Sequence, residues 1–161
     1  MIDYPQSWFS VLGEPLGESE REDIAAWLRG LGLDAGTEVQ QVGSWEEASS
    51  LTHQATGEWW MREEAERKRL EPLAKLSLSD RDLITVTDTL HGAAAVAAAR
   101  AGNAEAGLIK AAAGAAFYAV YQHRIAQAAG EPDTHPFTRK YALFAGGRWP
   151  LGLVGGRYAI F

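Results

Sequence analysis

The sequence predicts a mainly α-helical fold, a bundle built round an Ala-rich antiparallel helix hairpin with a small β-hairpin at the C-terminal end. Two long Ala-rich segments joined by Gly102-Asn103 predict the helix hairpin over residues 79–130. Two short apolar runs around Gly155-Gly156 predict the β-hairpin within residues 146–161. Because 161 residues suit one compact domain, we assign residues 1–161 to a single domain.

The N-terminal part of the chain predicts an irregular arm followed by an amphipathic helix. Residues 1–17 combine Pro, Gly and aromatic residues, so we expect an arm whose apolar side chains lie across the domain. Ser19 followed by Glu22 has the spacing of a capping box and predicts the start of the first helix. The apolar stripe of this helix, at i, i+3, i+4 and i+7, consists of Ile24, Trp27, Leu28 and Leu31. A short strand is predicted over residues 37–42.

The next helical region begins at a second capping signature. Ser44 and Glu47 have the capping-box spacing, and we expect the helix to extend past Gly57 into residues 58–70. Three Glu-first pairs at i,i+4, each worth about 0.2–0.5 kcal/mol, are Glu58/Arg62, Glu63/Arg67 and Glu64/Lys68. We interpret them as a solvent-exposed charged face, with a binding ridge as the alternative. Pro72 is expected to end or kink the helix at Glu71.

The helix hairpin has its own start and stop signals. The tetrapeptide 79–82, Ser-Asp-Arg-Asp, caps a helix that runs to residue 101. Gly102 ends it, and Asn103 is the predicted N-cap of a second helix that continues to about residue 129. The predicted inner face of the first helix consists of Leu83, Val86, Leu90, Ala94, Ala97 and Ala101.

Glycines inside the two hairpin helices call for an explanation. Gly92, Gly107 and Gly114 each cost about 1 kcal/mol relative to alanine in a helix interior. We therefore expect close approach of the helices at these positions, or space filled by the bulky Trp and Leu side chains of the first half.

The C-terminal segment from residue 134 onward contains four bases and no acids. A short helix is predicted over residues 137–145, after Pro136. Each of the two Gly-Gly-Arg triplets, which end at Arg148 and Arg157, could present backbone N–H groups and a guanidinium to an anion. Arg148 and Arg157 are therefore anion-binding candidates, although ordinary turn chemistry explains the same triplets.

The net charge of −6 is divided unequally along the chain. Residues 1–66 contain fourteen acids and three bases, which gives −11, whereas residues 67–161 contain seven acids and twelve bases, which gives +5. Five of the six tryptophans also lie in the acidic part. Two interpretations are open: an interaction surface for another molecule, or two halves that pack together and neutralise each other.

Composition excludes several classes of protein. Without cysteine the chain has no disulfides, no thiolate zinc site and no thiol nucleophile. No phosphate-binding loop, dinucleotide motif or metalloprotease motif is present, so we expect no cofactor and no metal. The N-terminus lacks the basic start of a signal peptide, and the longest uncharged helical stretch, 111–123, is too short to span a bilayer. We expect a soluble, cytoplasmic protein with no membrane partner.

The sequence best fits a non-catalytic protein-binding module, an inhibitor or immunity-type protein that captures a basic partner through an acidic, Trp-bearing surface. The residues predicted to form that surface are Glu18, Glu20, Glu22, Asp23, Trp45, Glu46 and Glu47. A homodimer through the same kind of surface is an alternative. Nucleic acid is not expected, because a pI near 5.2 and the acidic first part would repel a polyanion.

A second class of function is a small-molecule-binding or hydrolytic helical domain. Asp88 and His91 lie at i,i+3, on one face of the predicted helix, where they could form an orienting acid–imidazole pair. With Tyr118 and Tyr121 they would line a pocket left by the Ala- and Gly-rich helices. The structural interpretation of each residue, a satisfied or solvated side chain, competes with this role.

Overall fold

The computed structural model describes residues 7–34, 36–76, 79–102 and 105–161. The described residues form six helices and three short strands, so the expected mainly helical class with a small C-terminal β element is confirmed. In chain order the elements are α1 (Glu18–Gly30), β1 (Glu38–Gln41), α2 (Trp45–Thr52), α3 (Glu58–Ala74), α4 (Asp80–Arg100), α5 (Ala106–Ala128), α6 (Pro136–Ala145), β2 (Pro150–Val154) and β3 (Arg157–Ile160).

The three strands form one sheet in the order β1-β3-β2. β2 and β3 are the predicted hairpin, and they pair antiparallel around Gly155 and Gly156. Both glycines have positive φ, +56° and +78°, as a tight two-residue hairpin turn requires. β1 lies within the predicted range 37–42 and pairs parallel with β3, with Val39 opposite Tyr158. This pairing joins the N-terminal part of the chain to its last residues.

α1 begins earlier than the capping pattern at Ser19 predicted. Its N-cap is Gly17, whose N–H donates to Glu20 Oε1 at 3.1 Å. Glu20, and not Glu22, therefore folds back onto the start of the helix. The apolar stripe is confirmed, because all four of its residues are buried: Ile24, Trp27, Leu28 and Leu31.

The expected continuation of α2 past Gly57 is wrong, since α2 ends at Thr52 and α3 begins at Glu58. Between them the chain reaches the sheet, where Thr56 N–H donates to the Leu153 carbonyl at 2.9 Å. A continuous helix would commit that N–H to an intrahelical acceptor, so the bridge to β2 interrupts the helix.

Of the two outcomes expected at Pro72, an end or a kink at Glu71, the end is wrong, because α3 continues to Ala74 with Pro72 inside its last turn. Leu70 and Ala74 are buried and hold that turn against the core. Lys75 follows as the C-cap, and its left-handed φ of +46° ends the helix.

α4 and α5 contact each other more extensively than any other two elements. The Ser79 cap of α4 is confirmed, since its hydroxyl accepts the Asp82 N–H at 3.2 Å. The N-cap of α5 is Glu105, so the helix begins later than predicted, and Asn103 itself lies outside the described residues. The buried face of α4 consists of Val86, Leu90, Ala94 and Ala98. Of the other residues predicted there, Leu83 and Ala97 are half-buried and Ala101 is exposed.

The explanation expected for the helical glycines is wrong. Gly92, Gly107 and Gly114 are all exposed, and a Cβ added at any of them would meet no described atom within 4 Å. These positions therefore neither allow a close helix approach nor receive a bulky side chain. They lie on solvent-facing surfaces of α4 and α5.

Most of the tryptophans belong to the core. Of the six, all in the described part of the chain, those that are at most 4% exposed are Trp8, Trp27, Trp45 and Trp149. Trp59 is half-buried, and Trp60 is 48% exposed. The described part of the arm, residues 7–17, lies against the domain as expected, because Trp8 and Phe9 are buried in the cluster that also contains residues of α4 and α5. None of the helices in the described part of the chain has the length and hydropathy needed to cross a bilayer.

Candidate functional site

Some of the residues predicted to bind a partner are exposed, and the others are buried or hydrogen-bonded within the protein. The exposed members are Glu18, Glu22, Asp23 and Glu46. Trp45 is 4% exposed, with its ring 5.5 Å from that of Phe161 and 6.0 Å from that of Trp149. Its expected place on an exposed surface is therefore wrong, because the aromatic core around the C-terminal residue encloses it.

Two further acids of the predicted surface have structural partners. Glu47 Oε2 accepts the Gly43 N–H at 2.8 Å, while its own N–H donates to Ser44 Oγ at 3.1 Å, so the Glu47 side chain bonds the residue before the N-cap and the Ser44 hydroxyl caps α2. Glu20 receives hydrogen bonds from Arg148 at 2.8 and 3.1 Å. These bonds, the largest influence on it, hold the pKa of Glu20 below its usual value.

The N–H groups of the Arg148 side chain all donate to acceptors within the protein. Its side chain is 3% exposed, and each of its N–H donors has an acceptor. Beyond the two bonds to Glu20, the acceptors are the backbone carbonyls of Val11, Glu14 and Pro15. The arginine thus binds the arm to the start of α1. The prediction that Arg148 is available to an external anion is wrong, because no donor remains for one.

The basic tail pairs with the acidic first part of the chain. All four tail bases have a carboxylate from residues 1–66 within 4 Å. The pairs are Arg139–Asp23 at 3.9 Å, Lys140–Glu63 at 2.8 Å, Arg148–Glu20 at 2.8 Å and Arg157–Glu38 at 3.3 Å. Arg157, the second anion candidate, is 60% exposed beside Glu38. Of the two interpretations of the charge asymmetry, mutual neutralisation of the two halves is confirmed for these pairs.

The Lys140–Glu63 pair lies in the interior, with side chains 5% and 1% exposed. Lys140 Nζ donates to Glu63 Oε2 at 2.8 Å and to Gln122 Oε1 at 3.2 Å. It also lies 5.3 Å from the centre of the Trp59 ring. Helices α3, α5 and α6 each contribute one polar residue to this buried cluster.

Aromatic side chains of α1 and β3 adjoin the buried cluster. The Tyr158 ring lies 4.9 Å from that of Trp27 and 5.8 Å from that of Trp59. Burial raises the pKa of Tyr158 well above its usual value, and the charge of Glu63 adds to that effect. Sequence reasoning missed this cluster, since Glu63 was expected to pair with Arg67 on a solvated face.

The residues of the catalytic alternative are divided between two locations. Asp88 and His91 are exposed on α4. Tyr118 and Tyr121 lie on α5, where their hydroxyls donate to Glu64 at 2.7 Å and to Glu71 at 2.9 Å, both on α3.

The two tyrosines are partly buried, whereas Asp88 and His91 are exposed. Burial, followed by the bond to Glu64, raises the pKa of Tyr118 to about 12. The tyrosines thus connect α5 to α3, while Asp88 and His91 remain at the surface.

Glu66, Glu131 and His135 are the described group with ligand atoms close enough to suggest a metal, all within 4.8 Å of one another. His135 Nδ1 accepts the Phe137 N–H at 3.1 Å, so its proton resides on Nε2, which donates to Glu66 at 2.9 Å. Metal binding at Nε2 would require the other tautomer and would break the cap of α6.

A cation already occupies the space between these carboxylates. Arg69 Nη2 donates to Glu66 Oε1 at 2.7 Å and to Glu131 Oε1 at 2.9 Å. The hydrogen bonds from Arg69 are the main reason why the pKa of Glu66 is lowered to about 2. The group therefore holds α3 against the start of α6, and its chemistry does not favour an added metal ion.

A cleft of about 370 Å³ lies between α1 and α6. Asp23 and Asp133 contribute carboxylates to its lining, and Arg139 contributes a guanidinium. Leu143 and Ala142 provide an apolar wall. The cleft adjoins the exposed acids of α1 through Asp23, which belongs to both.

Comparison with known proteins assigns no family to this chain. No protein-family model, no curated protein and no solved structure matches it. The function has to be inferred from the residues and contacts described above.

Proposed function

We propose that the chain is a non-catalytic protein-binding module of the inhibitor or immunity type, which captures a basic protein through the exposed acids of α1. Its scaffold would be a single domain, residues 1–161, arranged as a helical bundle round the α4–α5 hairpin. One observation carries the proposal. The four tail bases have Asp23, Glu63, Glu20 and Glu38 as partners, yet Glu18 and Glu22 remain exposed on α1, and Asp23 is still 66% exposed beside Arg139.

The orientation of α1 supports this surface. Ile24, Trp27 and Leu28 turn inward, so the polar positions of the helix face solvent. The nearby base Arg21 is also exposed and offsets part of the acidic charge. An acidic surface of this kind accelerates encounter with a basic protein and discriminates against acidic ones.

The α1–α6 cleft supplies a place for an anchoring side chain. A lysine or arginine of the partner would extend its aliphatic stem along Leu143 and bring its cation to Asp23 or Asp133. Glu20 is not available for this role, because Arg148 occupies both of its oxygens. The proposed surface is confined to α1, so compared with the surface expected from sequence it lacks Glu20 and the three α2 residues Trp45, Glu46 and Glu47.

The experiment compares two triple charge reversals in the full chain. Glu18→Lys/Glu22→Lys/Asp23→Lys alters the proposed surface. A matched control alters exposed acids on α3 and α4, namely Glu58→Lys/Asp80→Lys/Asp88→Lys. Each acid-to-lysine substitution raises the net charge by two, so either triple variant changes the net charge from −6 to 0. Each set also places lysine at the start of a helix, so the cost against the helix dipole is shared.

The readout is capture of protein from cells of the source organism at low salt, followed by identification and titration with purified components. We expect a stoichiometric basic partner that raised salt releases, with binding weakened at least tenfold by the α1 triple variant and little by the control. Equal binding by both variants, capture of only acidic proteins, or recovery of no partner would each contradict the proposal. A second copy of this chain as the captured species would replace it with the homodimer alternative.

A further inference from the structure

Five side-chain polar atoms in the interior lack a hydrogen-bond partner among the described residues. Two are the indole nitrogens of Trp8 and Trp27. The other three belong to the cluster beneath β3, and they are Glu63 Oε1, Gln122 Nε2 and the Tyr158 hydroxyl. Each of these side chains is at most 1% exposed. A buried polar group without a partner costs about 1–3 kcal/mol, so three together in one place require an explanation.

The positions of the first two groups follow from contacts of Lys140. Its Nζ lies 2.8 Å from Glu63 Oε2 and 3.2 Å from Gln122 Oε1. The second oxygen of a carboxylate and the nitrogen of an amide are covalently held close to the atoms that Lys140 contacts. Both unpartnered atoms therefore lie within a few ångströms of Nζ, on the same buried ion pair.

The aromatic contacts place Tyr158 beside the same pair. Trp59 lies next to both Lys140 Nζ, at 5.3 Å from its ring centre, and the Tyr158 ring, at 5.8 Å. The charge of Glu63 also influences the ionisation of the Tyr158 phenol. The side chains that carry the three unpartnered groups thus each adjoin Lys140 or its neighbour Trp59, and they come from α3, α5 and β3.

The chemistry of the groups selects the kind of ligand. The charges of Lys140 and Glu63 already compensate each other, so an added ion would leave a net charge buried. Glu63 Oε1 can only accept a hydrogen bond, whereas Gln122 Nε2 can only donate. A ligand that satisfies both must be neutral, and it must donate and accept at once. Water meets these requirements, and buried waters make about three hydrogen bonds each.

We propose that the cluster is a binding site for one buried water molecule, which donates to Glu63 Oε1 and accepts from Gln122 Nε2. The Tyr158 hydroxyl is its third partner. The water connects Glu63 of α3 to Gln122 of α5. Lys140 connects Glu63 to α6. The inference is independent of the proposed partner surface on α1.

Two measurements on the full chain test the site. A high-resolution crystal structure should contain one water about 3 Å from both Glu63 Oε1 and Gln122 Nε2. In solution, the side-chain amide protons of Gln122 should show a magnetisation-transfer peak to a long-lived water. Gln122→Leu should abolish the crystallographic water, whereas Gln127→Leu, on the exposed part of α5, should leave both the water and the Gln122 signal unchanged.

The crystal structure and the amide signal of the unsubstituted protein test the buried water even if Gln122→Leu does not fold. Density for a single water at hydrogen-bond distance from both atoms supports the proposal. It is overturned if Glu63 Oε1 receives a hydrogen bond directly from a protein donor, if the site holds an ion, or if no density is present there and the amide peak is absent.

Discussion

Arg148 and Glu20 are 128 residues apart in the chain, and they form a two-point ion pair in which Nε and Nη2 each donate to a different carboxylate oxygen. The paired geometry matches the planar guanidinium to the planar carboxylate, and it is stronger than a single bond. Arg157 follows a Gly-Gly pair just as Arg148 does, and it too contacts an acid of the first part, Glu38. The two arginines differ chiefly in burial.

Arg148→Met is therefore expected to destabilise the protein strongly. The substitution leaves three backbone carbonyls and the Glu20 carboxylate without their donor, and we expect a cost of about 1–3 kcal/mol. The Glu20 side chain is 38% exposed, so water can solvate its carboxylate, and the carbonyls account for most of the loss. Arg157→Met is the matched control, expected to cost less than about 1 kcal/mol because both partners are largely exposed, at 60% and 71%. Denaturant unfolding of both variants measures the difference, and equal losses would show that burial does not distinguish the pairs.

Replacing an exposed helical glycine by alanine is expected to stabilise the protein. At Gly92 and Gly114 a Cβ meets no described atom within 4 Å, so only the conformational cost of glycine, about 0.5–1 kcal/mol each, is removed. Gly130→Ala is the control. Its φ of +80° is unfavourable for alanine, so we expect a loss of about 1–2 kcal/mol. Thermal unfolding midpoints that fell for Gly92→Ala and Gly114→Ala would indicate that these faces are packed.

Stability is expected to fall as the pH falls from about 5 to about 2, in part through Glu66. In the unfolded chain this carboxyl titrates near 4.5, whereas hydrogen bonds from Arg69 lower its folded pKa to about 2. The unfolded state then binds more protons within this window, so the contribution is complete above about pH 5 and is lost as the pH approaches 2.

Two variants isolate the contribution of Glu66 to this pH dependence. Glu66→Gln removes the titrating group and Arg69→Met removes the main cause of its low pKa, so each should flatten the plot of unfolding free energy against pH between 5 and 2. Denaturant unfolding at several pH values provides the plot. A slope in both variants equal to that of the unaltered protein would show that Glu66 does not contribute.

The buried pair of Lys140 and Glu63 should show strong coupling in a double-mutant cycle. Lys140→Met leaves a buried carboxylate unpaired, with an expected cost of about 3–5 kcal/mol. Adding Glu63→Leu removes that unpaired charge, so the double variant should be no less stable than the single one. Equilibrium unfolding of the four proteins gives the coupling energy. Simple additivity of the two substitutions would contradict a direct ion pair.

The helix caps, the hairpin turn and the apolar stripe of α1 were predictable because each depends on a pattern of residues close together in the chain. The caps at Ser44 and Ser79 formed as expected, and so did the glycine turn of the β-hairpin. The stripe that begins at Ile24 is buried as its periodicity predicted. Each of these patterns depends on residues at most seven apart, whose geometry the helix or turn itself imposes.

On α3, the spacing of charged residues accounts for one ion pair and fails for another. The pair Glu58–Arg62 forms at 3.4 Å on the exposed face, as the spacing predicted. Glu63 has the same spacing to Arg67, yet it turns inward to Lys140, while Arg67 pairs with Glu64 and Glu71. An exposed pair in one helix is worth only about 0.2–0.5 kcal/mol, so contacts with α5 and α6 decide which partner a charged side chain takes.

Short-range patterns in the chain predicted the helical class, the C-terminal β-hairpin and the acidic first part followed by a basic tail. Which acids neutralise the tail and which remain exposed on α1 depends on the packing of distant elements. The pairs form between residues far apart in the chain, and no local pattern relates such residues. Glu20 contacts Arg148, and Glu63 contacts Lys140, in a fold where β1 pairs with β3 and α6 packs against α1. Burial of the tryptophans was decided at the same stage, because a side chain's exposure depends on the elements that cover it.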